Sequence, residues 1–138
     1  MSTRTIGILG ATGAVGQEIM TLLEERQAPV GQIRLFSSSR SAGKSMSVCR
    51  QEVVCEVLKP GCFDGVDVLL CSAGADISRE WSPQALEAGA LVIDNSSAFR
   101  MQDGTPLVHG DTWLMQAKLV RGSLVVDFSP KGGPKVCC

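Results

Sequence analysis

A glycine-rich segment near the start of the sequence has the composition of an anion-binding turn. Residues 10–16 read Gly-Ala-Thr-Gly-Ala-Val-Gly and follow the apolar run of residues 5–9, while apolar side chains recur at helical spacing over residues 15–26. The pattern predicts a strand, a tight turn and a helix whose first backbone N–H groups can hold the pyrophosphate of a dinucleotide. A turn that only packs helix against strand is the alternative, and the flanking elements favour binding.

The segment expected beside the adenosine ribose contains no carboxylate. In NAD-binding proteins an acidic residue roughly 20 residues after the glycines commonly accepts a hydrogen bond from the ribose 2′-hydroxyl. Here residues 36–41 read Phe-Ser-Ser-Ser-Arg-Ser. Their hydroxyls and the guanidinium of Arg40 can donate hydrogen bonds to a 2′-phosphate, which favours NADP. A solvated loop arginine is the alternative for Arg40.

Two further polar loops are expected at the same edge of a sheet. Residues 72–74 follow one apolar strand and residues 94–100 follow the next. In a doubly wound sheet, the loops after parallel strands border the ligand crevice. Asn95 offers an amide that can orient a nicotinamide or a carbonyl, and Arg100 offers a clamp for an anion. A helix cap for the serines and a surface ion pair for Arg100 are the alternatives.

The elements that must position these loops alternate between strand and helix. After the first strand and helix, the pattern predicts a strand at 32–36, a strand pair within 45–59, a strand at 66–71, a helix at 77–88 and a strand at 91–93. This alternation predicts an α/β fold with a Rossmann-like, doubly wound parallel sheet. Later in the chain, residues 111–120 are a candidate helix and residues 123–128 a candidate strand.

Length, charge and hydropathy exclude several classes of protein. The chain has 138 residues, 44% of them hydrophobic, and a formal net charge of -1. This composition is that of an ordinary globular domain, without the positive field that draws proteins onto nucleic acid. No apolar run approaches the roughly 20 residues that span a bilayer, and no signal peptide is recognisable at the start. We therefore expect a cytoplasmic protein that binds neither nucleic acid nor membranes.

The cysteines do not follow a metal-binding or disulfide pattern. The sequence holds six, and Cys49, Cys55, Cys62 and Cys71 lack the two-residue spacing of zinc sites. We expect reduced thiols and no metal. Cys71 is a conceivable nucleophile at a strand end, but a buried core thiol is the preferred interpretation.

Few other groups could perform catalysis. His109 is the only histidine, and no cysteine accompanies it in a recognisable motif. The sequence contains no tyrosine, which excludes the Tyr-x-x-x-Lys acid of short-chain dehydrogenases.

Taken together, these segments resemble the N-terminal NADP-binding domain of aspartate-β-semialdehyde dehydrogenase. Residues 10–18, 38–44, 63–67, 72–74 and 94–101 follow that family in order and in register, and the resemblance covers about residues 5–108. It implies an oxidoreductase family that reduces aspartyl phosphate to aspartate semialdehyde with NADPH, in the biosynthesis of lysine, threonine and methionine. NADP is the implied cofactor.

The resemblance also implies roles for individual residues. The glycine turn would cradle the pyrophosphate, the serine-arginine loop would hold the 2′-phosphate, and the loops at 72–74 and 95 would complete the cofactor cleft. Asn95 and Arg100 would face the substrate, with Arg100 meeting its phosphate. The implied cofactor-binding residues are Gly10, Thr12, Gly13, Ala14, Val15, Gly16, Ser38, Arg40, Ser41, Ser72, Ala73, Gly74 and Asn95.

After Val108 the sequence departs from the family pattern. Family members continue with Pro-Glu-Val-Asn and then an Asn-Cys-Ser/Thr nucleophile motif, whereas residues 109–113 read His-Gly-Asp-Thr-Trp. The catalytic cysteine, the base histidine and the substrate-binding arginine of the second domain have no counterparts, so no catalytic residue is assigned. We expect an NADP-binding domain at 1–108, a divergent tail at 109–138, and a truncated chain that is inactive alone.

Two other functions remain open at this point. The chain could be a non-catalytic NADP-binding or regulatory module that associates with a full-length homologue, or it could form a homo-oligomer. An enzyme similar to acetylglutamyl-phosphate reductase is the other alternative, although the glycine turn and residues 40–43 fit aspartate-semialdehyde dehydrogenase better.

Overall fold

The computed structural model describes residues 4–99, 101, 107–109 and 123–127. Strands and helices alternate through most of this part of the chain, as the sequence pattern predicts. In order the elements are β1 (Arg4–Leu9), α1 (Ala14–Glu25), β2 (Val30–Ser37), β3 (Ser45–Val48), β4 (Gln51–Val57), β5 (Val68–Cys71), α2 (Ala75–Glu87), β6 (Leu91–Asp94), β7 (Leu107–His109) and β8 (Ser123–Asp127).

The described strands form one sheet in the order β3-β4-β2-β1-β5-β6-β8-β7. The hairpin strand β3 runs antiparallel to β4, and the other neighbouring strands pair in parallel. From β1 the chain moves through α1 to β2 on one side, and from β5 it moves through α2 to β6 on the other. The strand order therefore reverses beside β1, and the predicted Rossmann-like, doubly wound fold is confirmed.

Two separate hydrophobic clusters show that the helices cover opposite faces of the sheet. Ile8 and Leu35 pack with Met20 of α1 in one cluster. Their chain neighbours Leu9 and Phe36 belong to the other cluster, which contains Ala85 of α2. Successive side chains of a strand point to opposite faces, so each strand contributes to both clusters. This two-sided burial fixes the positions of both helices relative to the strand ends.

Most predicted elements are present with shifted boundaries. The predicted strand pair within 45–59 is the β3–β4 hairpin, and the predicted helix at 77–88 begins two residues earlier, at Ala75. The strand predicted at 66–71 begins only at Val68, because the backbone N–H of Val66 bonds to Phe63 within a turn. Helix α2 continues through Pro83, as predicted.

The sheet continues beyond the predicted domain boundary at residue 108. Strand β8 lies at the candidate strand of residues 123–128 and pairs in parallel with β6 and β7. The candidate helix at 111–120 lies outside the described residues. The division into a domain at 1–108 and a tail at 109–138 stays a prediction, and the tail segment includes a strand of this sheet.

One arginine attaches the loop after β4 to the sheet. The guanidinium of Arg34 in β2 donates to both carboxylate oxygens of Glu56, over 2.9 and 2.7 Å, and to the carbonyl oxygens of Cys62 and Asp64, each over 2.8 Å. It also lies 5.1 Å from the ring centroid of Phe36. The hydrogen bond to Glu56 is the largest cause that raises the pKa of Arg34.

Replacing Arg34 with methionine should therefore destabilise the fold. R34M leaves two loop carbonyls without their donor, and we expect the free energy of unfolding to fall by about 2 kcal/mol, with solvent screening at the partly exposed Glu56 included. Urea denaturation followed by circular dichroism measures the loss. The matched control is R79M, which removes an exposed pair with Asp76. That variant should change stability by less than about 0.5 kcal/mol. Equal losses in the two variants would contradict this role of Arg34.

Candidate functional site

The register of the sheet brings the predicted loops to one edge. Leu9 pairs with both Phe36 and Cys71, and Cys71 pairs with Asp94. The loops that follow β1, β2, β5 and β6 therefore begin at the same level, at the carboxyl ends of parallel strands. This edge lies where the strand order reverses, which is where ligands bind in doubly wound folds.

Close backbone contacts explain two glycines of the turn after β1. Gly10 has a φ of 83°, and a Cβ there would lie 2.8 Å from the backbone nitrogen of Ala73. A Cβ on Gly16 would lie 2.3 Å from the carbonyl oxygen of Gly10 and 2.9 Å from the Cα of Ala11. Only glycine fits either position without a shift of the backbone. The turn is consequently held tightly between α1 and the loop after β5.

The N-terminus of α1 has free hydrogen-bond donors. Gly13 is the N-cap residue, no side chain caps the helix, and its first turn has no acidic residue. The hydrogen bonds of the helix start with the N–H of Gln17, which donates to the carbonyl oxygen of Gly13. Within the described part of the chain, the N–H groups of Ala14, Val15 and Gly16 form no hydrogen bond. Unpaired donors and the positive end of the helix dipole fit a pyrophosphate.

The loop after β2 is a compact turn that is anchored to β4. The N–H groups of Ser41 and Ala42 both donate to the carbonyl of Ser38 over 3.0 Å. Residues 43 and 44 form backbone hydrogen bonds with Cys55 over 2.9 and 2.8 Å. Ser38 and Arg40 are exposed and Ser41 is half-buried. Among the described residues, no carboxylate forms an ion pair with Arg40. The loop can therefore present hydroxyls and a guanidinium to an anion.

The loop after β5 is clamped to the glycine turn by Ser72. Its hydroxyl donates to the carbonyl oxygens of Leu9 and Gly10, over 3.0 and 3.3 Å, and its N–H donates to Leu9 over 2.9 Å. Helix α2 then begins after Gly74, again without a side-chain cap. Ser72 and Ala73 thus lie against the glycine turn, and the predicted contact of residues 72–74 with a dinucleotide stays a prediction.

The loop after β6 is held at its first residues. The N–H of Asn95 donates to the carbonyl of Cys71 over 3.2 Å, which places half-buried Asn95 beside the loop after β5. The N–H of Ser96 donates to the carboxylate of Asp94 over 2.7 Å. Asn95 therefore lies at the same edge as the glycine turn. Arg100 lies outside the described residues, and its predicted contact with a substrate phosphate stays a prediction.

A buried polar cluster beneath this edge was not anticipated from the sequence. Asp94, Ser78 and Ser82 are each no more than 2% exposed, and their side chains form hydrogen bonds with one another or with Cys71. The available signal was a pair of serines four residues apart on α2, at a spacing that places them on one helix face. Nothing in the local sequence identified Asp94 as their partner.

The cysteines in the described part of the chain are free thiols. Burial raises the pKa of Cys71 to about 12, and the hydrogen bond with Ser82 only partly opposes that effect. Burial also raises the pKa of Cys49, Cys55 and Cys62. The interpretation of Cys71 as a core thiol therefore holds in this structure, because a thiolate is needed for nucleophilic attack.

In the part of the chain that the structure describes, no group of three or more His, Cys, Asp or Glu side chains could hold a metal ion. Neither described helix is long and apolar enough to cross a membrane.

Substitution of Gly16 should test the close contact in the glycine turn. G16A forces a Cβ against backbone atoms, and we expect the free energy of unfolding to fall by about 2 to 3 kcal/mol. The control is G13A, whose Cβ would lie 3.4 Å from the Gly10 carbonyl oxygen, an ordinary contact. G13A should lower the free energy of unfolding by about 1 kcal/mol, since alanine is a poor N-cap residue. Thermal or urea unfolding gives both values, and a G16A variant as stable as G13A would refute the contact.

Alkylation should show the high pKa of Cys71. At pH 8 a thiol with a pKa of about 12 is ionised in roughly one molecule in ten thousand. Iodoacetamide should therefore label Cys71 far more slowly in the folded protein than in urea, and the rate should rise with pH. Half-buried Cys49 is the internal control, read by peptide mass spectrometry. Labelling of Cys71 as fast as Cys49 in the folded state would contradict the burial.

Comparison with known proteins agrees with this geometry. The family model for the NAD binding domain of semialdehyde dehydrogenase matches residues 5–129. Aspartate-semialdehyde dehydrogenase of Bacillus subtilis is 45% identical over 103 residues, which are 75% of this chain and 30% of that protein. The chain therefore spans about a third of the length of this curated relative.

Solved structures show the same relationship. Aspartate semialdehyde dehydrogenase II of Vibrio cholerae, complexed with ASA, superposes with a TM-score of 0.78 at 31% identity, over 91% of this chain and 42% of that chain. Aspartate semialdehyde dehydrogenase with NADP from Candida albicans gives a TM-score of 0.67 at 32% identity, over 78% of this chain and 33% of that chain. With the family model matching most of its length, this chain belongs to the semialdehyde dehydrogenase NAD-binding domain family.

Proposed function

We propose that this chain binds NADP at the carboxyl edge of its sheet, as the cofactor domain of an aspartate-semialdehyde dehydrogenase-like oxidoreductase. The single observation that carries the proposal is the glycine turn, which directs uncapped N–H groups of α1 toward the crevice where the strand order reverses. The pyrophosphate would accept hydrogen bonds from Ala14 and Val15, whose positions are exposed. The glycines and Thr12 would form the wall of that site.

Three features of the loop after β2 support NADP over NAD. Ser38, Arg40 and Ser41 lie within one short turn, which is anchored to β4 by backbone hydrogen bonds. No Asp or Glu occurs between residues 37 and 44, so nothing in this turn repels a 2′-phosphate. A guanidinium and two hydroxyls together can satisfy several phosphate oxygens. The structure of the Candida albicans relative contains NADP.

The loops after β5 and β6 would receive the nicotinamide half. Residues 72–74 lie against the glycine turn through Ser72, and Asn95 lies beside them through its hydrogen bond to Cys71. Both loops therefore continue the crevice on the side of β1 opposite the 2′-phosphate loop. When bound, the reduced nicotinamide supplies a hydride. The side chain of Asn95 would orient the nicotinamide or a substrate carbonyl, and Arg100 would bind a substrate phosphate.

The described residues support cofactor binding and not acyl transfer. Reduction of an acyl phosphate through a covalent intermediate requires a reactive thiolate and a general base. The described thiols have raised pKa values, and the described strand β7 holds His109 without an assigned role. We propose that this chain binds NADPH but does not by itself reduce aspartyl phosphate. Association with a second copy or with a full-length homologue stays a prediction, as does a cytoplasmic location.

Replacing Arg40 should separate the two cofactors. R40Q removes a charged donor from the 2′-phosphate site, and we expect the Kd for NADPH to rise by about 10- to 100-fold while the Kd for NADH stays within about twofold. Isothermal titration calorimetry measures both. The control is R50Q, because Arg50 lies in the β3–β4 turn at the amino end of β4, away from the loop edge.

Two results would contradict the proposal. Folded wild-type protein that bound NADH more tightly than NADPH would remove the assigned role of the serine-arginine loop. Folded protein that bound neither nucleotide would remove the site as a whole.

A further inference from the structure

Asp94 is a buried carboxylate at the end of β6. It is 2% exposed, and its two carboxylate oxygens accept hydrogen bonds from different elements. One oxygen accepts from the N–H of Ser96 over 2.7 Å, and the other accepts from the hydroxyl of Ser78 in α2. The carboxylate therefore joins the loop after β6 directly to the first turns of α2.

The contacts of α2 extend this connection toward the glycine turn. The N–H of Ser78 donates to the carbonyl of Gly74 over 3.0 Å, and Gly74 ends the loop that begins with Ser72. Ser72 in turn donates to the carbonyls of Leu9 and Gly10. One series of hydrogen bonds thus runs from the turn after β1, through the loop after β5 and α2, to the loop after β6.

Burying a carboxylate is costly unless hydrogen bonds compensate, so the arrangement needs a reason beyond filling space. An apolar side chain could fill the space between β6 and α2 without that cost. It could not accept from Ser96 and Ser78 at once. A forked acceptor is the feature that an apolar residue lacks, and it fixes both the direction of the loop and its distance from α2.

The loop after β2, which contains Ser38, Arg40 and Ser41, does not share these hydrogen bonds. Its backbone hydrogen bonds go to Ser38 within the turn and to Cys55 of β4, on the other side of β1 from Asp94. A change at Asp94 or Ser78 should therefore disturb one half of the crevice and leave the other half intact.

We propose that Asp94, acting through Ser78 and Ser96, is a positioning residue that sets the nicotinamide half of the dinucleotide site. This inference rests on the proposed NADP binding and adds to it the residue that holds the loop containing Asn95. Asp94 does not contact the cofactor in this role. It fixes the spacing of the two loops between which the nicotinamide binds.

The experiment compares the whole dinucleotide with its adenosine half. Kd values for NADPH and for adenosine 2′,5′-bisphosphate are measured by calorimetry on the full chain. S78A should raise the Kd for NADPH by about tenfold, which is the effect of losing one charge-assisted hydrogen bond. The Kd for adenosine 2′,5′-bisphosphate should stay within about twofold of the wild-type value. Helix formation favours alanine, so this variant is expected to fold.

Two further variants make the result specific. D94N preserves both connections, because its amide oxygen can accept from Ser96 and its NH₂ group can donate to Ser78, whose hydroxyl then donates to Ser82. It should bind NADPH within about threefold of wild type, while D94A should match or exceed the loss in S78A. S82A is the matched control, since it removes a buried serine of the same helix that does not contact Asp94. S82A should leave the Kd values for both ligands unchanged.

The outcomes separate this inference from the proposed function. If wild type binds both ligands but S78A and S82A have the same Kd values, the role of Asp94 is overturned and NADP binding stands. The same holds if S78A weakens the binding of both ligands equally. Wild type that binds neither ligand would overturn NADP binding. Amide hydrogen exchange without ligand tests the link separately: exchange at Ser96 should accelerate in D94A and S78A but not in S82A, and unchanged exchange in all three would refute it.

Discussion

The site depends on the close backbone contact between the turn after β1 and the loop after β5. Gly10 and Ala73 approach so closely that a Cβ at Gly10 would lie 2.8 Å from the Ala73 nitrogen. Ser72 then closes the contact through its hydroxyl, which donates to two carbonyl oxygens of the β1 end. These contacts hold the turn, and with it the N-terminus of α1, against the strand ends.

The sheet topology supplies the remaining constraints. Strand β1 lies between β2 and β5, so the two halves of the sheet extend from it in opposite directions, and the helix of each half covers a different face. In doubly wound sheets the ligand crevice lies where two such halves diverge, and here the loops on the two sides of β1 come from different halves of the sheet. Arg34 stabilises one half by holding the loop after β4. In the other half, the carboxylate of Asp94 holds the loop after β6 in the same way, by accepting from Ser78 and Ser96.

Local sequence patterns were sufficient to predict the helices and strands, but not which elements lie next to each other in the fold. The glycine spacing, the alternation of strand and helix and the missing acidic residue are properties of short segments, so the loops at this edge of the sheet could be predicted in advance. The roles of their residues in binding stay predictions. The position of β8 between β6 and β7 depends on pairing between segments that are far apart in sequence, and no local pattern predicts it. The same holds for Asp94 and Ser78, which are 16 residues apart in sequence. The later start of β5 reflects a turn at residues 63–66 that a continuous apolar run concealed.

The two helix N-termini at this edge have different charge environments, and the difference indicates which one a ligand would use. The first turn of α2 contains Asp76, which is exposed and paired with Arg79, whereas the first turn of α1 contains no acidic residue. Ser78, one residue beyond that first turn of α2, already donates to the carboxylate of Asp94. Two carboxylates of the protein, those of Asp76 and Asp94, therefore lie near the N-terminal end of α2. The N-terminus of α1 faces no such charge among the described residues, so its unpaired donors and its dipole favour an anion from outside the protein.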